Sequence, residues 1–131
     1  RMLPTWLFLA ALDGMALVII GAAGGHGVIE DPARVRLFGL AADYQAWHGV
    51  ALLAIGLAGG RASGLPRRLI HVTAGAFLLG TGFFSGSLYL HALTGAAPIP
   101  VLTPVGGGIL IVGWFVLAVA GLTLIGRREV S

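Results

Sequence analysis

The most constraining feature of the sequence is a run from Phe77 to Thr94, FLLGTGFFSGSLYLHALT, that contains no charged side chain. An α-helix rises ~1.5 Å per residue, so about 20 apolar residues cross the ~30 Å hydrocarbon core of a bilayer. On a helical period, the small and polar residues of this run form one stripe, which consists of Gly82, Ser85, Gly86 and Tyr89. Such residues suit helix contact better than lipid contact. The run therefore predicts a membrane-spanning helix that packs through this stripe.

Three further apolar runs accompany this one. The chain is 57% apolar and only 10% charged, which is far from the average of soluble domains. Its 131 residues suit one domain. We predict a single integral membrane domain of the all-α class, in which four transmembrane helices form an up-down-up-down bundle. The expected spans are residues 5–25, 44–60, 69–93 and 102–125.

The connection between the first two spans, residues 25–43, contains a helix start signal. Asp31 is a suitable N-cap, and Pro32 suits the first helical position. Basic and apolar residues then alternate. The pattern predicts a short helix that lies in the membrane interface or lengthens the second span.

The basic residues are all arginines and lie at the ends of the apolar runs. In the predicted bundle one side has only Arg34 and Arg36, and the other side has Arg1, Arg61, Arg67, Arg68, Arg127 and Arg128. Because cytoplasmic loops are enriched in basic residues, we predict a multi-pass protein of the bacterial inner membrane with both termini in the cytoplasm. The net charge of +3 belongs to the membrane interface and does not indicate nucleic acid. The expected partners are the lipid bilayer and either a second copy or another membrane protein.

Asp13 is the most costly residue in the chain, because it lies roughly 12 Å along the first helix from Thr5 and hence near the membrane middle. We expect it to face the bundle. One interpretation is a neutral carboxylic acid that is hydrogen-bonded to a neighbouring helix. The other is an intramembrane proton or ion site, and the sequence leaves both open.

Antiparallel packing would bring polar residues from several helices into the outer half of the membrane. The candidates for a binding or structural polar cluster are His26, Tyr44, Gln45, His48, Ser85, Ser87, Tyr89 and Thr103. A buried polar group without a partner costs roughly 1–3 kcal/mol. We therefore expect one hydrogen-bonded cluster of His26, Gln45, His48, Tyr89 and Thr103. Within it, His26 and His48 should be in direct or one-water contact.

The same region raises the question of a metal. Three histidines with an acid could in principle ligate Zn²⁺, and two histidines could ligate haem. The donors are His26, His48, His91 and Asp43. No two of these histidines are three or four residues apart, so each would have to come from a different element. We therefore predict no metal site and no cofactor.

Glycines spaced four apart predict the close helix contacts. The pairs are Gly21 with Gly25, Gly56 with Gly60, and Gly82 with Gly86. Small residues at this spacing let helix backbones approach closely in membranes. On this interpretation, replacing Gly86 with leucine should disrupt folding.

Four strings identify a resemblance. They are GAAGGHGV at Gly21 to Val28, Tyr44-Gln45 with His48, FSGSLY at Phe84 to Tyr89, and TPVGG at Thr103 to Gly107. In these strings, the chain resembles a small bacterial and mitochondrial membrane-protein family, the domain of unknown function 423. The resemblance covers essentially the whole chain and implies a four-helix membrane protein with no assigned activity. The family pattern falls on His26, Tyr44, Gln45, His48, Ser85, Gly86, Ser87, Tyr89, Thr103, Pro104, Gly106 and Gly107. His91 and Asp13 depart from it, which favours His26 and His48 as site residues.

The sequence leaves the biochemical activity unknown. It has no cysteine, and none of the strings typical of serine hydrolases, zinc proteases or phosphate-binding loops occurs. We expect a non-enzymatic membrane protein that binds a partner protein or a lipid, and we keep two alternatives. One alternative is a small oligomeric transporter or channel that uses Asp13. The other is a metal- or haem-binding membrane enzyme that uses the outer histidines.

Overall fold

The computed structural model describes the backbone of residues 1–24 and 26–130, with side chains up to Arg128. Four helices account for most of this part of the chain: α1 (Pro4–Gly24), α2 (Pro32–Ala58), α3 (Gly64–Thr94) and α4 (Leu102–Val130). A 3₁₀ turn, Gly59–Arg61, follows α2. The described residues contain no strand, and the all-α prediction is confirmed.

Helix α2 begins where the sequence predicted a helix start. The side chain of Asp31 accepts a hydrogen bond from the backbone N–H of Ala33 at 2.9 Å, and Pro32 occupies the first turn. The helix then continues without interruption to Ala58, a length of about 40 Å at 1.5 Å per residue. The predicted short interfacial helix is thus not a separate element. It is the first half of α2, as the alternative interpretation of residues 25–43 allowed.

Each helix packs mainly on the next one in the chain, and the helices alternate in direction. Leu3 N donates to Gly56 O at 2.7 Å near the start of α1, whereas Gly24 at its end faces Phe38. Helix α3 lies between α2 and α4, while α1 packs mainly on α2. The central apolar core contains Leu52, Ile55, Ala74, Phe77, Leu110 and Ala120. This order is the predicted up-down-up-down arrangement.

Three of the described helices, α1, α3 and α4, are long and apolar enough to cross a membrane. Helix α2 carries charged residues in its first half and is not among them. Because Gly24 faces Phe38 and Leu3 bonds to Gly56, residues 38–56 of α2 cover the same height as α1. Packing therefore brings α2 across the same layer.

Two arginines join helix ends to neighbouring elements. On one side, Arg34 donates from Nε to Ala92 O at 2.7 Å and from Nη2 to Leu93 O at 2.9 Å. These carbonyls belong to the last turn of α3, where a cation is favourable. On the other side, Arg127 Nη1 donates to Ser63 O at 3.0 Å. Arg34 thus holds the last turn of α3, and Arg127 holds the turn that precedes the start of α3.

Glycine does make the closest helix contacts, but mostly at other positions than predicted. A Cβ added to Gly56 would lie 2.7 Å from Leu7 N, and one on Gly60 would lie 2.7 Å from Arg1 C, so this pair does adjoin another segment. A Cβ on Gly21, Gly82 or Gly86 would meet nothing within 4 Å. Gly25 lies outside the described residues.

The α3–α4 contact instead depends on three other glycines. A Cβ on Gly106 would lie 2.9 Å from Gly80 O and would also collide with the backbone of Phe84. A Cβ on Gly113 would lie 2.9 Å from the Phe77 ring. The predicted stripe is therefore divided: Ser85 and Tyr89 are buried and bond to α2, whereas Gly82 and Gly86 face open space within one chain.

Candidate functional site

Asp13 is half-buried in the middle of α1 and faces α2, as its predicted cost in lipid requires. Its Oδ1 accepts a hydrogen bond from Gln45 Nε2 at 3.0 Å. The same amide approaches the backbone oxygen of Asp13 at 3.3 Å. Gly49, one turn further along α2, leaves room for the carboxyl group, since a Cβ there would collide with Asp13 Oδ2. The site thus needs both an amide donor and a missing side chain on α2.

The hydrogen bonds continue from Gln45 to α3. Tyr89 donates from its hydroxyl to Gln45 Oε1 at 2.8 Å, and its ring packs edge-on against Phe38 with centroids 5.1 Å apart. Asp13, Gln45 and Tyr89, which we call the Asp13 chain, therefore connect three helices. The predicted contact between Gln45 and Tyr89 is one of the hydrogen bonds of the Asp13 chain.

Two buried polar atoms among the described side chains have no hydrogen-bond partner, and they are Asp13 Oδ2 and Thr81 Oγ1. Both residues line one small cavity of about 10 Å³ between α1, α2 and α3. The ring of His48 and Gly49 are also part of its wall.

His48 belongs to a separate set of contacts. Trp114 donates from Nε1 to His48 Nε2 at 3.0 Å, and His48 Nδ1 lies 2.7 Å from Tyr44 O. Since Nε2 accepts, Nδ1 carries the proton and donates to that carbonyl. Both ring nitrogens of this neutral imidazole are therefore engaged, which leaves no lone pair for a metal.

The hydroxyl groups of α3 bind helix neighbours. Ser85 donates to Ala41 O on α2 at 2.8 Å and is fully buried. Ser87 lies 2.6 Å from the hydroxyl of Thr103 on α4 and also donates to Phe84 O of its own helix at 3.0 Å. The two serines thus join α3 to different neighbours.

The predicted cluster is therefore divided among three places. Gln45 and Tyr89 meet in the Asp13 chain, His48 pairs with Trp114, and Thr103 pairs with Ser87. His26 is exposed beyond the end of α1, and no hydrogen bond joins its ring to His48. Among the described residues, no three metal-binding side chains converge.

An open groove lies between α2 and α4 beside the His48–Trp114 pair. Its volume is about 570 Å³, and its walls are Tyr44, Trp47, His48, Phe84, Gly107, Leu110, Ile111 and Trp114. Tyr44 packs on Phe84 with ring centroids 4.4 Å apart, and Trp114 packs on Phe77 at 4.8 Å. We call this surface the aromatic groove. The described hydrogen bonds already engage the polar nitrogens of His48 and Trp114, so its wall is largely apolar.

Sequence reasoning missed three residues of these sites. The residues around Thr81 and Gly49 in the sequence form no recognisable motif. Both residues acquire a role only because the fold places them opposite Asp13. Trp114 is the third of these residues and lies deep in the bundle, near the middle of α4. That depth was itself a signal, since an indole N–H inside a membrane needs an acceptor.

The chain is similar to known membrane proteins over most of its length. A model of the family described as "Protein of unknown function (DUF423)" matches residues 20–107. A "UPF0382 membrane protein" of Staphylococcus epidermidis is 40% identical over 129 residues, which cover 95% of this chain and 100% of the relative. The "UPF0382 inner membrane protein YgdD" of Escherichia coli K12 is 32% identical over 130 residues, or 95% of this chain and 94% of the relative. No solved structure matches.

Proposed function

The chain belongs to the family of proteins of unknown function DUF423, and from that premise we propose that it is a non-enzymatic membrane protein that binds a lipid chain in the aromatic groove. The observation that carries this proposal is the groove itself. Its volume of about 570 Å³ lies within the range of roughly 300–1,000 Å³ that is typical of small-molecule sites.

The wall of the groove favours an apolar occupant. The His48 imidazole and the Trp114 indole already satisfy one another, so the groove presents ring faces and few free polar atoms. At its rim, Trp47 is 73% exposed and Ile111 is 72% exposed in the chain by itself. In a bilayer these side chains contact lipid, and the groove opens in the same direction.

The depth of the groove follows from the hydrogen bond between Gln45 and Asp13. Asp13 lies near the membrane middle, and Tyr44 and Trp47 are within two residues of Gln45 along α2. At ~1.5 Å per residue, these groove residues therefore lie within the hydrocarbon layer. The groove would hold an acyl or prenyl chain of the lipid, and the headgroup would lie beyond it, at the membrane surface.

The test fills the groove without touching the rest of the bundle. A Cβ on Gly107 would lie 3.6 Å from the Phe84 ring, so Gly107→Phe should project a ring into the groove. Gly108→Phe is the matched control, because a Cβ there meets nothing within 4 Å. We expect Gly107→Phe to retain several-fold less lipid after purification in mild detergent, as counted by mass spectrometry. Equal retention by both variants and by the unchanged protein would overturn the proposal.

Transport of a proton or small ion by way of Asp13 is a second candidate. The unpartnered Oδ2 of this buried acid favours it. Proton flux into liposomes that contain the protein should then be lost in Asp13→Asn. No difference from empty liposomes would exclude this candidate.

For the orientation we propose that both termini face the cytoplasm. In the alternating arrangement, Arg1, Arg61 and Arg127 share one side, and the positive-inside rule supports the cytoplasm for that side. A reporter that is active only in the periplasm should therefore be inactive when fused after Ser131. Reporter activity after Ser131 would show that the C-terminus faces the periplasm and would contradict the proposed orientation.

A further inference from the structure

The cavity beside Asp13 combines two features that are each unusual. Asp13 Oδ2 and Thr81 Oγ1 are buried, and neither has a hydrogen-bond partner among the described residues. Buried polar atoms in native proteins almost always have a protein or water partner. Here both unpartnered atoms belong to residues of the same cavity wall. An occupant of this cavity would therefore lie beside both residues.

The size of the cavity is compatible with one water molecule. Its volume is about 10 Å³, which is at the lower limit of the roughly 10–15 Å³ that a water needs. A hard cation such as Ca²⁺ or Mg²⁺ takes about six or more oxygen ligands, which two side-chain oxygens do not provide. A water molecule needs only about two to four polar partners. Asp13 and Thr81 supply two of them.

We propose that one water molecule occupies this cavity, is hydrogen-bonded to Asp13 Oδ2 and Thr81 Oγ1, and forms with them a proton-binding site inside the membrane. When the carboxyl group is ionised, the water donates to Oδ2. When a proton from solvent binds Oδ2, that O–H donates to the water, and the water donates to the Thr81 oxygen. Gln45 Nε2 continues to donate to Oδ1 in both states. The inference depends neither on lipid binding in the aromatic groove nor on net transport.

The titratable neighbours of this site come from two helices. From α2, the neutral ring of His48 forms part of the cavity wall. From α3, Tyr89 contacts the site through Gln45. The described wall of the cavity includes no residue of α4 and no arginine or lysine. Asp13 is therefore the carboxyl group of the described cavity wall that can bind the proton.

The bound water also has a structural consequence. Helix α1 packs mainly on α2, and its described side-chain bond to α3 is the one from Trp6 Nε1 to His71 Nδ1, 2.7 Å long and near the start of both helices. A water between Asp13 and Thr81 adds a contact between α1 and α3 near the membrane middle. A change in the protonation state of Asp13 would then change this contact and, with it, the position of α1 relative to α3.

Infrared difference spectroscopy of the purified protein in lipid nanodiscs tests the proposal. A carboxyl band that appears on acidification and is absent from Asp13→Asn belongs to Asp13. Thr81→Val removes the hydroxyl at nearly constant shape, and we expect it to shift this band. Thr73→Val is the matched control, because Thr73 is buried on the same helix but donates to Gly113 O on α4, 3.3 Å away. It should leave the band unchanged.

A second measurement does not require a folded Thr81 variant. A water O–H band of the unchanged protein should respond to acidification, shift in H₂¹⁸O, and be absent from Asp13→Asn. The proposal is overturned if no such water band exists, or if Thr81→Val and Thr73→Val both leave the Asp13 band where it is.

Discussion

The two outer pairs of the bundle, α1–α2 and α3–α4, are held together by different means. Between α3 and α4, Gly80, Gly106 and Gly113 let backbone and ring atoms approach closely over several turns. Between α1 and α2, backbone contact occurs near Gly56, and the middle of the pair depends on Asp13, Gln45 and Gly49. Backbone packing tolerates almost no added volume, whereas a polar contact can be remade by a small movement. The α3–α4 pair is thus a rigid unit, and the α1–α2 pair is the one that can change.

The largest expected effect is at the rigid pair. Gly106→Ala places a methyl group against the backbone of Phe84 and 2.9 Å from Gly80 O, atoms that cannot move independently of their helices. Overpacking of this kind costs about 1–3 kcal/mol or more. We expect a clear fall in the thermal midpoint in detergent.

The control for that substitution is Gly86→Ala, where the added atom meets open space. Its effect should lie within about 0.5 kcal/mol. This expectation replaces the sequence-based one that Gly86→Leu disrupts folding of the chain. If the Gly86 variant were as unstable as the Gly106 variant, Gly86 would have to pack on a partner outside the single chain.

An intermediate effect is expected where the Asp13 chain meets α3. Tyr89→Phe removes the hydroxyl that donates to Gln45 Oε1 and leaves that buried oxygen unpaired. The cost should be about 1–3 kcal/mol, measured by unfolding in detergent. Amide hydrogen exchange should also rise in α1 more than in α4. A uniform rise in both helices would mean that the Asp13 chain does not act on α1.

The smallest expected loss of stability is at Gly49, and it tests whether the α1–α2 pair is the more adaptable of the two. Gly49→Ala collides only with the end of the Asp13 side chain, which can rotate if its bond to Gln45 is given up. We expect a loss of about 1 kcal/mol, near the worth of one hydrogen bond. Gly14→Ala, with nothing within 4 Å, is the control on α1. A Gly49→Ala variant as unstable as Gly106→Ala would show that both pairs are equally rigid.

Much of the fold could be predicted from the sequence, because depth in a membrane follows directly from the length of apolar runs. Asp31 and Pro32 also located the start of α2. Orientation about each helix axis could not be predicted in the same way. Gly82 and Gly86 do share a face, but periodicity does not say whether a neighbour occupies that face. For the same reason the sequence did not distinguish Gln45 from His48, which lie at similar depth but form their side-chain hydrogen bonds with different helices.

The candidate site could be predicted in part for the same reason. Asp13 was identified because an acid in lipid is costly whatever surrounds it. Thr81 and Gly49 were not, since a threonine and a glycine cost little in a membrane helix until the fold places them beside a carboxyl group. His26 was expected in the buried cluster, but its position at a helix end allowed it to be exposed.

The dependence of Asp13 on α2 has a consequence for biosynthesis. Helix α1 leaves the ribosome before α2, and at that stage neither Gln45 nor Gly49 exists to receive the acid. An isolated acidic residue at the centre of an inserting helix disfavours partitioning into lipid by about 2.5–3.5 kcal/mol. We expect the insertion machinery to hold α1 until α2 has been synthesised, so that the two enter the bilayer together as a helical hairpin.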